Sequence, residues 1–192
     1  MTKVKMSGPA LVMNGIIYVS AFLTVLCFAL YYGGFFNSAA VLWTGVVSFT
    51  ILYQLELRLV FGKINGRLHI NYKQRWFRSL AFERRFYELL RVRKWRGKVL
   101  TYNPELFTLH NHTMEEIANT MAKVELDHWA NVIISLTTVI LGFIWGALPV
   151  FIAAAVFAIL FDYQFIVVQR YNRPGVVKVI ELQNKKRQKV TV

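Results

Sequence analysis

Two long stretches without any charged residue constrain the fold of this chain more than any other feature. No Asp, Glu, Lys or Arg lies between Lys5 and Glu56, and none lies between Asp127 and Asp162. A bilayer core of roughly 30 Å is crossed by about 20 helical residues, so each stretch is long enough for two spans. We therefore predict four transmembrane helices in a chain of which 56% is hydrophobic.

Short polar or Gly-rich breaks divide each apolar stretch in two. They lie at Gly33–Ser38 and Gly146–Pro149, and they predict spans at about 10–32, 38–61, 128–145 and 148–168. The predicted fold class is all-α integral membrane, with a cytoplasmic helical and amphipathic insertion at 62–127 between spans two and three. The whole chain, 1–192, is then a single domain. A cleaved signal peptide is disfavoured for the first span, which is too long and is followed at once by a second.

The distribution of positive charge predicts the topology. The net charge is +13, and apart from Arg58 every Lys and Arg lies in a terminal tail or in the insertion. By the positive-inside rule both termini and the insertion are cytoplasmic in a multi-pass protein of the cell membrane. Charge next to spans favours contact with anionic membrane lipids over nucleic acid.

The segment from Arg75 to Lys98 interleaves cations with Phe, Trp and Leu at spacings of three and four residues. This pattern predicts amphipathic helices that lie in the membrane interface. The single cysteine, Cys27, lies within the first span and forms no intramolecular disulfide.

Three ionisable residues fall inside the predicted spans: Glu56, Arg58 and Asp162. Such residues usually face the interior of a helix bundle. Asp162, Gln169 and Arg173 share one helical stripe, which predicts an acid, an amide and a guanidinium facing one cavity. A purely structural ion pair between Asp162 and Arg58 is the alternative.

Glu125 and His128 are three residues apart at the start of the third span, so their side chains can meet on one helix face. Because the third and fourth spans form a tight hairpin, this pair is expected near Gln169, Arg170 and Asn172. A base, an acid and cationic donors would then converge at one interfacial site. The alternative for His128 is an interfacial anchor beside Trp129.

A metal site is disfavoured because a dinuclear bundle site needs two Glu-x-x-His elements, and only one is present. The segment with His112 and Glu115 instead predicts a helix start, with Thr113 as the cap and Glu116 completing a capping box. Nucleophilic catalysis is also disfavoured, since Cys27 lies far from the polar cluster.

Three segments carry a family resemblance: Arg91–Trp95, Thr120–Trp129 and Val167–Arg173. In order, spacing and membrane context they resemble the glycosyl-4,4'-diaponeurosporenoate acyltransferase family, whose members esterify a glycosyl hydroxyl of staphyloxanthin-type carotenoids with a fatty acyl chain. The chain departs from the family pattern at Asp162-Tyr163-Gln164, where an Asn-x-Pro-like segment is expected. The resemblance implies acyl transfer more firmly than it implies a pigment substrate.

We accordingly predict an O-acyltransferase that acylates a hydroxyl of a membrane-embedded glycolipid or glycosylated carotenoid at the cytoplasmic interface. His128 is expected to be the general base with Glu125 orienting it, and Gln169, Arg170 and Asn172 to stabilise the oxyanion or hold the donor. Arg93, Lys94 and Trp95 are expected to meet the phosphates of an acyl-CoA or acyl-carrier protein. The remaining substrate-binding candidates are Trp129, Tyr171, Arg173, Asp162, Glu56 and Arg58.

The predicted reaction requires no metal and no bound redox cofactor; its partners are the acyl donor, the lipid acceptor and membrane lipids. Two other functions fit the same sequence. One is a four-span carrier of a lipid-linked sugar, and the other is a non-catalytic partner in a membrane pathway. The sequence does not define an oligomeric state.

Overall fold

The computed structural model describes residues 8–99 and 104–190, and every regular element in these ranges is helical. In chain order the helices are α1 (Gly8–Tyr32), α2 (Ala39–Arg67), α3 (Glu83–Leu89), α4 (Val92–Trp95), α5 (Met114–Trp145) and α6 (Leu148–Val190). Single turns of 3-10 helix lie at Arg75–Phe77, Arg96–Lys98 and Pro104–Phe107. The two chain ends, whose cytoplasmic placement the charges predict, lie outside the described residues.

Four helices, α1, α2, α5 and α6, are long and apolar enough to cross a membrane. This confirms the prediction of an all-α chain with four candidate spans, and the protein is a multi-pass membrane protein. Both predicted breaks are also present, because α1 ends at Tyr32 and α5 ends at Trp145. Gly34 and Gly146 each have a φ of 77° in these turns, a left-handed conformation that glycine adopts without a steric cost.

Three of the long helices extend beyond the spans predicted from hydropathy. Helix α2 continues to Arg67, α5 begins at Met114, and α6 runs through Pro174 to Val190. The helices extend past the predicted spans because hydropathy marks where a chain leaves the apolar phase, whereas helical hydrogen bonding continues on either side of that boundary. The predicted insertion at 62–127 therefore includes the end of α2 and the first turns of α5.

A capping box begins α5, as the sequence predicts. The backbone N–H of Thr113 donates to Glu116 Oε2 at 2.8 Å, and the backbone N–H of Glu116 donates to Thr113 Oγ1 at 3.2 Å. The reciprocal bonds satisfy two amide groups that the first helical turn leaves without partners.

The chain divides into two compact units, to each of which α2, α5 and α6 contribute residues. The first unit contains the described residues up to Phe61 together with Ile134–Val156, and the second contains the described residues of Gly62–Ile133 and Phe157–Val192.

The first unit has a small core around Val46, Leu141 and Phe151. Phe28 packs against this core, with its ring stacked on Trp145 at a centroid distance of 5.9 Å. Three side-chain hydrogen bonds also join α2 to α5 in this unit: Tyr53 with Thr137 at 2.7 Å, Gln54 with Thr138 at 2.9 Å, and Arg58 with Ser135 at 3.3 Å.

The second unit packs the segment after α2 against α5 and α6. Its main core consists of apolar side chains from all three regions: Ile70, Tyr72, Phe77, Ala118, Ala122 and Ile180. The two alanines lie one turn apart on α5, and small side chains at this spacing let another segment approach closely. A second cluster of Tyr87, Val92 and Val167 holds α3 and α4 against α6.

Candidate active site

A histidine and an aspartate from neighbouring helices form the most distinctive pair in the second unit. His128 Nδ1 lies 2.8 Å from Asp162 Oδ1, and the aspartate side chain is only 1% exposed. Asn131, one turn after His128 on α5, donates from Nδ2 to the same oxygen at 3.1 Å. The imidazole stacks on Phe165, with the ring planes 3° from parallel and the centroids 4.4 Å apart. These contacts fix both the position and the orientation of the imidazole.

The environment of this pair determines the chemistry that the imidazole can perform. A carboxylate that accepts a hydrogen bond from Nδ1 holds the proton on that nitrogen, which leaves a lone pair on Nε2. The side chain of His128 is 19% exposed, so it is not sealed inside the protein. An oriented, partly accessible imidazole backed by a buried carboxylate is the arrangement of a general base.

Glu125, one turn before His128, belongs to a different set of contacts. It is completely buried, and its two carboxylate oxygens accept from Arg170 Nη1 at 2.6 Å and from Arg173 Nη1 at 2.5 Å. The prediction that Glu125 orients His128 is therefore wrong, because the arginines of α6 occupy the carboxylate and Asp162 takes the imidazole.

Arg170 uses all five of its N–H groups within the second unit. Its Nε and Nη2 donate to Glu83 Oε1, and its Nη1 donates to Glu125. The remaining N–H groups donate to the carbonyl oxygens of Trp76 at 3.2 Å and Arg78 at 3.1 Å. A guanidinium has five N–H donors, so Arg170 has none left for a substrate oxyanion in this conformation. The predicted oxyanion role of Arg170 does not fit this geometry.

Arg173 repeats this pattern one turn further along α6. Besides its bond to Glu125, Arg173 donates to the carbonyl oxygen of Phe77 at 2.7 Å. Its guanidinium also lies 5.3 Å from the centre of the Phe77 ring. Arg173 is 3% exposed. The two arginines thus bind the turn around Trp76–Arg78 to the α5–α6 hairpin, with Glu125 between them.

Glu83 is the residue of this network that the sequence analysis did not single out. It is 6% exposed, lies at the start of α3 and accepts from Arg170. Burial, together with the nearby carboxylate of Glu83, raises the pKa of Tyr87 to about 12, so this phenol stays neutral at physiological pH. A glutamate followed by two arginines at an exposed helix start carries no sequence signal for burial.

Two other predicted residues, Asn172 and Tyr171, contact Arg96. Asn172 Oδ1 accepts a hydrogen bond from Arg96 Nη1, and the guanidinium lies 5.1 Å from the centre of the Tyr171 ring. Tyr171 also packs edge-on against Tyr87. Asn172 and Tyr171 therefore hold the end of the α4 region on α6.

The predicted donor-binding residues of α4 differ in exposure. Arg93 and Lys94 are exposed, whereas Trp95 is half-buried and donates from Nε1 to the carbonyl oxygen of Leu90 at 3.0 Å. The indole thus anchors the short helix and leaves the two cations at the surface.

Three buried polar atoms near these contacts have no hydrogen-bond partner among the described residues. They are the Nε1 of Trp129, the Oε1 of Gln169 and the second carboxylate oxygen of Glu83, Oε2. Trp129 follows His128 and packs edge-on against Trp76, whose carbonyl oxygen accepts from Arg170. A buried polar group without a partner costs about 1–3 kcal/mol, so a substrate group that paired with Trp129 or Gln169 would recover that cost.

Glu56 and Arg58 lie in the first unit, on α2. Arg58 is half-buried and donates to Ser135, whereas Glu56 is exposed on the helix surface. The expectation that Glu56 faces the bundle interior is therefore wrong. In the described part of the chain, no three His, Cys, Asp or Glu side chains are placed to hold one metal ion.

The four apolar helices and the buried acid–base pair together define a multi-pass membrane protein with a candidate proton-transfer site. The chain belongs to the glycosyl-4,4'-diaponeurosporenoate acyltransferase family, whose model matches residues 73–182. The match contains His128, Asp162 and the arginine network, and membership places the protein among membrane acyltransferases. No curated protein and no solved structure gives a significant match to the chain.

Proposed function

We propose that the protein transfers a fatty acyl group from a thioester donor to a hydroxyl of a membrane-embedded glycolipid or glycosylated carotenoid. The proposed site of reaction is the cytoplasmic interface of the cell membrane. The observation that carries the proposal is the hydrogen bond between His128 Nδ1 and the buried carboxylate of Asp162. Family membership supplies the reaction class, and this pair supplies a group able to activate a hydroxyl.

The proposed step begins when His128 Nε2 accepts the proton of the acceptor hydroxyl. The oxygen attacks the thioester carbonyl carbon, which forms a tetrahedral intermediate with negative charge on the carbonyl oxygen. Collapse of this intermediate breaks the carbon–sulfur bond, and the imidazolium returns its proton to the departing thiolate. Asp162 stabilises the imidazolium while it exists. General acid–base catalysis of this kind contributes roughly 10²–10⁴-fold in rate.

The indole N–H of Trp129 is our candidate for the group that stabilises the developing negative charge. It is buried, it has no acceptor among the described residues, and it follows the proposed base in the sequence. A fixed donor in a water-poor site stabilises an oxyanion more than it stabilises the neutral carbonyl. Gln169, whose Oε1 is also unsatisfied, is the candidate acceptor for a second hydroxyl of the sugar.

The arginine network takes a supporting role in this proposal. Glu125, Arg170 and Arg173 satisfy one another and the backbone of the Trp76–Arg78 turn, so they position the reactive groups without touching the substrate. Arg93 and Lys94 stay candidates for electrostatic contact with an acyl-CoA or acyl-carrier protein. Acyl transfer involves no oxidation or reduction. The donor thioester is therefore the only co-substrate that the step requires.

One observation favours a second candidate function, a carrier for a lipid-linked sugar. In the first unit Ser135 and Thr138 are completely buried, and they bind Arg58 and Gln54 of α2 within helices of membrane-spanning length. Polar groups at such positions are costly and often mark a substrate path. A carrier would move its substrate without changing the substrate's mass.

Comparative mass spectrometry of membrane lipids tests the proposal and separates it from a carrier. Cells that express the natural protein are compared with cells that lack it and with cells that express His128→Gln. We expect one lipid class to gain the mass of a fatty acyl ester only with the natural protein. An unchanged lipid profile, or an acyl gain that persists with His128→Gln, would contradict the proposal.

A further inference from the structure

An open groove of about 660 Å³ lies in the second unit between the Tyr72–Ser79 segment and the part of α6 that follows Arg173. Its basic lining residues are Lys73, Arg78 and Lys178, with the already paired Arg173, and its acidic lining residue is Glu181. The groove is separate from the His128–Asp162 pair, and no predicted site residue except Arg173 lines it.

The three exposed cations of this groove are available for a ligand. In the described parts of the chain, none of Lys73, Arg78 and Lys178 forms a salt bridge with a carboxylate. The ammonium of Lys73 lies 5.5 Å from the centre of the Tyr72 ring, which holds its side chain at the groove. The backbone carbonyl of Arg78 accepts from Arg170, which holds the main chain at this edge of the groove. Three cations around one concave surface suit a ligand with several phosphates.

The position of the groove on α6 relates it to the apolar part of that helix. The apolar part of α6 ends at Val168, and the groove extends along the helix from Arg173 to Asn184. At about 1.5 Å of rise per residue, Lys178 lies roughly 15 Å and Asn184 roughly 24 Å beyond the apolar part along the helix axis. The groove thus lies on the aqueous side of the apolar part, where a water-soluble phosphorylated ligand can reach its cations.

The same helix relates the groove to the proposed base. Lys178 and Asp162 both lie on α6, and their levels along the helix axis are roughly 24 Å apart. This separation is comparable with the length of an extended phosphopantetheine arm, which joins the nucleotide phosphates of coenzyme A to its sulfur. Arg173 lines the groove and also binds Glu125, which lies one turn before His128 on α5.

We propose that this groove binds the diphosphate and 3′-phosphate of an acyl-CoA, with the pantetheine arm directed toward His128. The inference rests on the proposed acyltransferase function and names its donor. Lys73, Arg78 and Lys178 bind the phosphates, and the Ser79 hydroxyl is a further donor. This assigns the phosphates to a concave site, whereas Arg93 and Lys94 offer only an exposed surface of a four-residue helix.

Binding of coenzyme A to the purified full-length protein in phosphatidylcholine nanodiscs tests the inference. We expect saturable binding that weakens at least about tenfold in the triple variant Lys73→Gln, Arg78→Gln, Lys178→Gln. Removing the 3′-phosphate should also weaken binding to the natural protein, and this loss should disappear in the triple variant. The matched control is Lys185→Gln, Lys186→Gln, Lys189→Gln, which removes the same charge further along α6 and should bind coenzyme A normally.

Three results would overturn the inference. They are absence of coenzyme A binding to the natural protein, equal binding by the natural protein and the groove variant, and an equal loss in the control variant. If neutralising Arg93 and Lys94 weakens binding and neutralising the groove does not, the phosphates belong at α4 and the groove assignment is wrong. In nanodiscs that also contain phosphatidylglycerol, loss of bound anionic lipid in the groove variant, with unchanged coenzyme A binding, identifies a lipid site and also overturns the inference.

Steady-state kinetics separate this inference from the proposed function. The groove variant should raise the KM for acyl-CoA with little change in kcat, since phosphate contacts far from the reacting atoms bind ground and transition states alike. His128→Gln should lower kcat by roughly 10²-fold or more while binding coenzyme A normally. If coenzyme A binds in a groove-dependent way but no acyl transfer occurs, the proposed function is refuted and the binding site is still supported. Transfer with an unchanged KM in the groove variant would refute the site alone.

Discussion

Arg170 illustrates how a residue can look catalytic in the sequence and be structural in the fold. A cation at the end of an apolar helix suggests a substrate anion, yet its donors bind Glu83, Glu125 and two backbone carbonyl oxygens. The side chain is 12% exposed, so these bonds form in a largely water-free environment. Both carboxylates need the guanidinium to compensate for their burial.

Replacing Arg170 by lysine should therefore reduce the stability of the fold more than it reduces substrate binding. Lysine keeps the charge but offers three donors in place of five, so buried acceptors lose partners. We expect the free energy of unfolding to fall by about 3 kcal/mol, read as a lower thermal midpoint in detergent. The control is Arg84→Lys, because Arg84 forms an exposed pair with Glu88 worth about 0–1 kcal/mol. Equal midpoints for the two variants would contradict this role.

Trp129 permits a test of oxyanion stabilisation that leaves most of the packing intact. Trp129→Phe keeps an aromatic ring against Trp76 but removes the unsatisfied Nε1–H. We expect kcat to fall by roughly 10²-fold with little change in the KM for the acyl donor, as when an oxyanion donor is lost. Trp95→Phe, which removes an indole N–H already bound to Leu90, is the control for loss of an indole elsewhere. A fall in kcat no larger than that of the control would remove Trp129 from the reaction.

The prediction from the sequence identified the helices that meet at the site, but it assigned the wrong partner to His128. The hairpin of the third and fourth spans correctly predicts contact between Glu125 and Arg170. The three-residue spacing favoured Glu125 as the partner of His128, yet the rotation of α6 about its axis presents Asp162 to the imidazole instead. Local spacing does not define that rotation. Asn131, which follows His128 by one turn and binds the same Asp162 oxygen, was not among the predicted site residues.

Close helix packing in the first unit depends on a glycine of α2. A Cβ added at Gly45 would lie 2.7 Å from the Phe28 ring, and Phe28 is held between Phe49 and Trp145. A Cβ added at Gly15 of α1 would meet no atom within 4 Å among the described residues. Small residues at such contacts let membrane helices approach.

The two glycines should respond oppositely to alanine. Gly45→Ala must displace a constrained aromatic ring and should lower the free energy of unfolding by about 1–3 kcal/mol. Gly15→Ala gains the helix propensity of alanine without a clash and should be neutral or stabilising by up to about 1 kcal/mol. Denaturation of both variants in the same detergent measures the difference. The packing model fails if Gly45→Ala is the more stable of the two.

At the level of elements, the sequence predicted the helices better than their ends. The spans follow from the absence of charge, which the bilayer imposes, and the turns follow from Gly33-Gly34 and Gly146. Helix α5 begins as early as Met114, and helix α6 continues as far as Val190. The bilayer does not impose these extensions. Polar residues such as Lys123 and Glu181 are as common in an exposed helix as in a loop, so the sequence alone did not predict them. The capping box at Thr113 was the local signal for the start of α5.

For the whole molecule, the charge distribution predicts that both termini face the cytoplasm. The two short connections near Gly33 and Gly146 carry no Lys or Arg, and the cations lie in the tails and between α2 and α5. A reporter fused after Val192 should therefore be active in the cytoplasm. The same reporter inserted at Gly34 should report the opposite side. If the reporter at Gly34 is cytoplasmic and the one after Val192 is not, the predicted topology is wrong. The proposed site would then face away from a cytosolic donor.

We propose that His128 and Asp162 act as one catalytic unit, and the kinetics of single and double variants test whether they do. The measurement is the initial rate of acyl transfer by purified protein, using the acceptor lipid identified by mass spectrometry. His128→Gln and Asp162→Asn should each lower kcat by roughly 10²-fold or more, with thermal midpoints close to that of the natural protein. The double variant should be no slower than the slower single variant, because the two residues contribute to the same step. Near-full turnover by His128→Gln, or additive losses in the double variant, would contradict the account.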